Sequence, residues 1–296
     1  MSVLDIGKCL GALAVAAGML VIRTADAAPE KLVLPSAFSN GFVYVKVSIN
    51  GAPAVWMAID DGTSPSVIDF DYAQKLGLKL KDAGKLGEGV GNAPTQLFTT
   101  RVAKLTTGPV SQSDVEFEAA KLTVTGITGP DRQPLAGVVG YSFLKGRIVV
   151  LDYKANEVDF LTQKPTACIC DIPMKLDHDV PAIEVSVAGH PVTALIDSGG
   201  QYNLLLTPET AQAIGLGDAL TAATTATGYG YNGAQNLRIG TAPSLAVGKI
   251  SLTNPATMYS TFGNAPLRAG GSLGVQFLLH YRVTLNYPAS TVRFDP

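Results

Sequence analysis

An all-β plan built from two similar units is what the sequence predicts. Three observations carry it: the frequency of chain-turning residues, stretches that alternate apolar and polar side chains, and an internal duplication. Glycine and proline number 31 and 18 among 296 residues, about 17% against a usual ~12%, which favours short elements joined by turns over long helices. The length is close to twice the ~150 residues of a common domain and allows a sizeable core. Charged residues make up only 16% of the chain and the formal net charge is -2. With no basic run, nothing electrostatic favours a nucleic-acid partner. The three histidines (His178, His190, His280) and three cysteines (Cys9, Cys168, Cys170) are scattered. They lack the paired spacing of a metal site, so neither a metal nor another cofactor is expected.

The chain opens on an address. Cys9 to Ile22 is an unbroken apolar or small stretch, preceded by Lys8 and followed by Ala25-Asp26-Ala27, the pattern of a secretory signal with a small-x-small cleavage site. A membrane span would need ~20 such residues. Residues 1–27 are therefore expected to be removed, leaving a secreted or periplasmic protein with no stable membrane span. Cys168-Ile169-Cys170 then holds the only remaining thiols, in an oxidising compartment. So close a pair is open to three fates: a strained bridge, two free thiols, or pairing with another molecule.

The duplication fixes the elements in order. Val45 to Ile49 reads like Ile183 to Val187, each alternating at the strand period of two. After a Gly-x-Pro turn (Gly51 to Pro53, Gly189 to Pro191), Ala58-Ile59-Asp60-Asp61-Gly62-Thr63 answers to Leu195-Ile196-Asp197-Ser198-Gly199-Gly200. A short helix follows in both halves, bounded by Asp69 and Gly77 in the first and by Thr207, Pro208 and Gly215 in the second. Gly137 to Leu144 and the strand Ile148 to Tyr153 then match Gly271 to Leu278 and the strand Arg282 to Tyr287. Each half ends in a Val-x-Phe strand, Val158 to Phe160 and Val292 to Phe294. The expected organisation is a first lobe over residues 28–160, a linker over 161–177 and a second lobe over 178–296.

The repeat places one kind of charge at one kind of position: an aspartate at the end of an apolar strand, followed at once by a glycine-containing turn. Desolvating a lone carboxylate costs several kcal/mol unless it is paired or protonated. Two of them, one per lobe, could meet across a pseudo-twofold axis and share a proton.

At these residues the sequence resembles the pepsin-like and retropepsin-like aspartic proteases, in a single-chain bacterial form with two fused halves. The resemblance covers about 250 residues and rests on four motifs in duplicated order: Ile59 to Thr63, Ile196 to Gly199, Val138-Val139-Gly140 and Ser272-Leu273-Gly274. It implies two β-barrel lobes with short helices, related by a pseudo-twofold, and Asp60 and Asp197 as the catalytic pair. It implies a polypeptide substrate lying extended between the lobes beneath a hairpin flap. Because the halves are fused, a monomer suffices. Asp61, Gly62, Thr63, Ser198 and Gly199 would support the active-site loops. Flap candidates are Gly87 to Asn92, with Gly89, Val90 and Gly91, and Gly228 to Gly233, with Tyr229 and Tyr231.

The chain departs from the family pattern twice. Where the family has a hydroxyl after the aspartate, Ser198 complies and Asp61 does not. Where a hydroxyl often bonds the catalytic carboxylate, Thr63 complies and Gly200 does not. The alternative function is thus a catalytically weak or inactive pepsin-like protein that binds peptide or protein without cutting it. Other chemistries fare worse. Gly228 to Gly233 also spells G-x-G-x-x-G, without the strand, helix and downstream acid of a dinucleotide site. Ser198 and Ser142 lack the nucleophile-elbow glycines. His178 reads as part of an exposed turn, and His280 as a packed or surface residue.

Overall fold

The computed structural model describes residues 31–87, 91, 93–122, 126–230 and 232–296. Residues 1–27, read above as a signal, lie outside them, as do Gly89, Val90 and Tyr231. Among the described residues β-strands predominate, joined by turns and a few helices of four to six residues. This is the outcome the turn-rich composition predicts.

Each half forms its own sheet, and the two are organised alike. In the first, Val55–Ile59 runs parallel to Gly137–Val139, which also pairs antiparallel with Ser66–Asp69. In the second, His190–Asp197 runs parallel to Gly271–Gly274, which pairs antiparallel with Leu204–Leu206. The aspartate-bearing strand is thus held centrally in each sheet, with Ile59 and Ile196 fully buried. The backbone N–H of Asp60 still reaches the carbonyl of Val139 at 3.1 Å, so the carboxylate leaves the sheet from a fixed point.

The short helices form where the capping signals put them. Asp69 Oδ1 accepts the N–H groups of Asp71 and Tyr72 at the head of Phe70–Lys75, and Gly77 follows at φ +68°. Thr207 accepts the N–H of Thr210 at the head of Pro208–Ala213, and Gly215 follows at φ +79°. Each cap is worth about 1 kcal/mol. Each helix turns the chain back over the sheet through one buried alanine, Ala73 or Ala211.

The halves also share a third sheet of six strands. Its order is Lys31–Leu34, Glu157–Leu161, Ile148–Asp152, Arg282–Asn286, Thr291–Asp295, Ile172–Pro173. Its central pairing joins Ile148–Asp152 to Arg282–Asn286 across the pseudo-twofold. One hydrophobic cluster runs from Val45 and Phe117 in the first half through Leu151 and Leu285 to Ile196 and Leu273 in the second. Stretch 161–177, read above as a linker, carries the short strands Ile172–Pro173 and Lys175–Asp177. Of the three fates open to its thiols, the bridge is realised: Cys168 and Cys170 form a disulfide, and Arg293 fastens the loop by donating to Asp171 Oδ1 and to the Thr166 carbonyl. Among the described residues, no helix is long and apolar enough to cross a membrane.

Candidate active site

The two aspartate turns face each other, and their glycines show how closely. A methyl group on Gly62 would stand 2.9 Å from Asp197 Oδ1 and 3.1 Å from Asp60 Oδ1; one on Gly199 would stand 2.5 Å from Asp60 Oδ2. Each turn therefore presents bare backbone to the other half's carboxylate, and no residue with a side chain fits either place. The structure brings Asp60 and Asp197 into one part-buried cluster.

Each carboxylate is held by its own loop. Gly62 N–H donates to Asp60 Oδ1 at 2.8 Å and the Thr63 hydroxyl to Asp60 Oδ2 at 2.7 Å. Gly199 N–H donates to Asp197 Oδ1 at 3.0 Å. At Gly200 there is no hydroxyl to complete the symmetry. The phenol of Tyr202 donates to Asp197 Oδ2 instead. Sequence comparison of the halves missed this residue because it lies two positions beyond the motif.

Across the lobe boundary, Ser198 behaves as expected and Asp61 does not. Ser198 Oγ accepts the N–H of Asp61 at 3.3 Å and donates to the carbonyl of Ile59 at 3.4 Å. Asp61 Oδ1 accepts the N–H of Ser198 at 2.6 Å. The remaining oxygen, Oδ2, is buried without a hydrogen-bond partner. Asp61 thus reproduces the acceptor half of a hydroxyl's role and leaves the donor half unmade.

Burial and crowding push all three carboxyls toward the neutral form. Asp60 is raised to about 8, first by desolvation and then by the charge of Asp197, against the bonds from Thr63 and Gly62. Asp61 is raised to about 7, chiefly by desolvation, with the Ser198 N–H opposing. Asp197 is also raised by desolvation, and the Tyr202 phenol is the strongest influence in the other direction. Two such carboxyls titrate as a unit with split values.

The two expected flap segments meet. The Gly87 carbonyl accepts from Asn232 Nδ2 at 2.8 Å and Asn264 Nδ2 at 3.0 Å. Ala93 N–H donates to the Asn232 carbonyl at 2.7 Å, and Gly91 N–H to Gln235 Oε1 at 3.2 Å. Gln235 is anchored in turn by donating to Ser260 Oγ at 2.5 Å. Tyr229, on the strand Thr224–Gly230, is 73% exposed. The G-x-G-x-x-G glycines Gly228, Gly230 and Gly233 lie on that strand and its antiparallel partner Gly233–Thr241, so a strand follows them where a dinucleotide site would have a helix. Beside the hairpin, a cavity of about 550 Å³ is lined by Leu220, Thr225, Leu237, Arg238, Tyr259 and Thr261. His178 sits in a turn with φ 49°, and His280 is exposed.

Two homologous lobes, each offering an aspartate turn to a shared centre, define the acid-protease class of fold. The chain belongs to the aspartyl protease family: its model matches over residues 45–143 and again over 183–277. The two matches coincide with the two halves. No curated protein matches the sequence. Among solved structures, the chain is similar to the crystal structure of basic 7S globulin from soybean, at 12% identity and a TM-score of 0.48 over 90% of this chain and 95% of that one.

Proposed function

We propose that the protein is an aspartic endopeptidase that hydrolyses peptide bonds with a water activated between Asp60 and Asp197. The observation that carries this reading is the mutual approach of the two turns, with the bare backbone of Gly62 and Gly199 against the opposite carboxylates. Two carboxyls so placed hold one proton between them; this dyad class is the standard example of like charges that cannot both ionise. The ionised member takes a proton from water as the water oxygen attacks the scissile carbonyl carbon. The neutral member gives its proton to the carbonyl oxygen, so the tetrahedral intermediate carries no net charge. Collapse returns that proton to the dyad and passes the other to the departing amine. The Cys168–Cys170 disulfide supports action in an oxidising compartment, secreted or periplasmic.

A denatured polypeptide incubated between pH 3 and 8 tests the proposal. Cleavage is expected, lost in Asp60→Asn and in Asp197→Asn and blocked by a statine-type inhibitor. Cleavage that survives either substitution overturns it. One observation favours a second reading, a peptide-binding protein that does not cut: Asp61 puts a third buried carboxyl beside the dyad. Peptide binding retained in Asp197→Asn, with no product from the wild-type chain, would select it.

A further inference from the structure

We propose that Tyr202 is a positioning residue that replaces the hydroxyl absent from position 200, and that it holds Asp197 as the carboxylate of the dyad while the shared proton rests on Asp60. This rests on the endopeptidase reading and adds to it which member does which task.

The proposal comes from three places where the halves stop matching. Aligned on their aspartates, the first half has Thr63 and Pro65 where the second has Gly200 and Tyr202; aligned on the later Gly-x-x-Gly motif, the first has Val138 where the second has Ser272. Each exchange looks like a loss or an oddity by itself. In the structure the three form one cluster. Tyr202 donates its proton to Asp197 Oδ2, and the phenol oxygen shares a second hydrogen bond, 3.0 Å, with Ser272 Oγ. Since a phenol has one proton to give, the Ser272 hydroxyl supplies the second, which explains a fully buried serine in an otherwise apolar strand. A methyl group on Gly200 would stand 2.5 Å from both Tyr202 Cζ and Asp197 Oδ2. The ring therefore occupies the room that position 200 leaves, and Gly274 deepens the slot, where a methyl group would meet the Tyr202 carbonyl at 2.5 Å and the ring at 2.6 Å. A side chain at 200 and a ring at 202 exclude each other.

The consequence is electrostatic asymmetry between two sites that are geometric twins. Asp60 Oδ2 receives an alcohol from Thr63, whereas Asp197 Oδ2 receives a phenol, the more acidic donor, sharpened by the serine behind it. A hydrogen bond to a carboxylate stabilises its charged form, more so from a stronger donor. The other groups acting on the pair are Asp61 from the first loop and the phenols of Tyr153 and Tyr287, each just beyond a strand of the shared sheet. Asp61, when ionised, opposes a charge on Asp60 and on Asp197 alike, so it does not choose between them. The stronger donor at Asp197 therefore places the negative charge there. Asp197 is then the base that takes the proton from water, and Asp60 the acid that gives its proton to the carbonyl oxygen.

The test pairs a pH–rate profile with a readout that needs no substrate. In Tyr202→Phe, the acidic limb of kcat is expected to move up by about one pH unit, which is about tenfold less activity on that limb, with KM little changed. In Thr63→Val the basic limb is expected to move instead. Carbon-13 carboxyl titration of the aspartates should show the same upward shift of the lower dyad value in Tyr202→Phe. A uniform drop in kcat with both limbs in place, together with an unmoved carboxyl titration, would mean that Tyr202 only packs, and would overturn the assignment. If no chain cleaves anything, the endopeptidase reading fails, and the carboxyl titration alone decides the role of Tyr202. Should Tyr202→Phe not fold, Ser272→Ala keeps the ring and is expected to give a smaller shift in the same direction; no shift there overturns the proposal. The double variant Gly200→Thr, Tyr202→Ala is expected to recover the acidic limb.

Discussion

The loops Ile59 to Thr63 and Ile196 to Gly200 occupy equivalent places in equivalent sheets, yet they solve the same problem with different atoms. The first has a fitting hydroxyl beside its carboxylate and an ill-fitting carboxyl at the lobe boundary. The second has the fitting serine at the boundary and borrows its hydroxyl from Tyr202. What a duplicated site must keep is thus the donor at each oxygen, while the residue that supplies it is free to move. The glycines set against the opposite half's carboxylate, Gly62 and Gly199, are where both halves keep the same residue.

Breaking either carboxylate has the largest expected effect. Asp60→Asn and Asp197→Asn should each lower kcat by about 10³-fold or more, since each removes one end of the proton exchange. A product assay on a denatured polypeptide measures this, and unequal losses would show that the halves differ in more than geometry. Next comes the backbone approach. Gly199→Ala puts a methyl 2.5 Å from Asp60 Oδ2, against 2.9 Å from Asp197 Oδ1 for Gly62→Ala. Both should lose activity and about 1–3 kcal/mol of stability, with Gly199→Ala the worse of the two in urea denaturation.

Asp61 provides the third comparison, because its counterpart Ser198 does not titrate. A carboxyl raised to about 7 keeps, in the folded chain, a proton that the unfolded chain releases near pH 4. Its contribution to stability is present in full below pH 4 and lost as the pH rises toward 7. Asp61→Asn should flatten that fall in a series of denaturation midpoints from pH 4 to 8; an unchanged slope would show that Asp61 ionises freely. Asp61→Thr, which restores the hydroxyl pattern, should raise activity near pH 7.5 by a few fold, and an unchanged pH profile would contradict that. The smallest effect is expected at the joined hairpins. Asn264→Ala removes the bond to the Gly87 carbonyl and the one accepted from Asn232 Nδ2, each worth about 1 kcal/mol, and in a peptide-cleavage assay should lower KM by less than tenfold with kcat unchanged.

The sequence made legible whatever is local or repeated. The alternating strands, the two capped helices and the aspartate turns could each be read from a few neighbouring residues, and the family's matched regions fall on the same two halves. The shared six-stranded sheet was not legible, because its central pairing joins Ile148–Asp152 to Arg282–Asn286 with nothing in either strand that names its partner. The hairpin contacts were missed for a related reason. Gln235 and Asn264 are unremarkable polar residues until folding brings them beside Gly87 and Gly91. Tyr202 was the nearest miss: a glycine in place of Thr63's counterpart is a vacancy, and a large hydroxyl-bearing side chain two residues on was the signal that something fills it.

The meeting of Asp60 and Asp197 at one centre is tested most directly by calorimetric titration with a statine-type inhibitor, whose single hydroxyl must contact both carboxyls at once. One inhibitor is expected to bind per chain, with affinity that collapses both in Asp60→Asn and in Asp197→Asn. Binding that is indifferent to either substitution would mean that the two aspartates act apart.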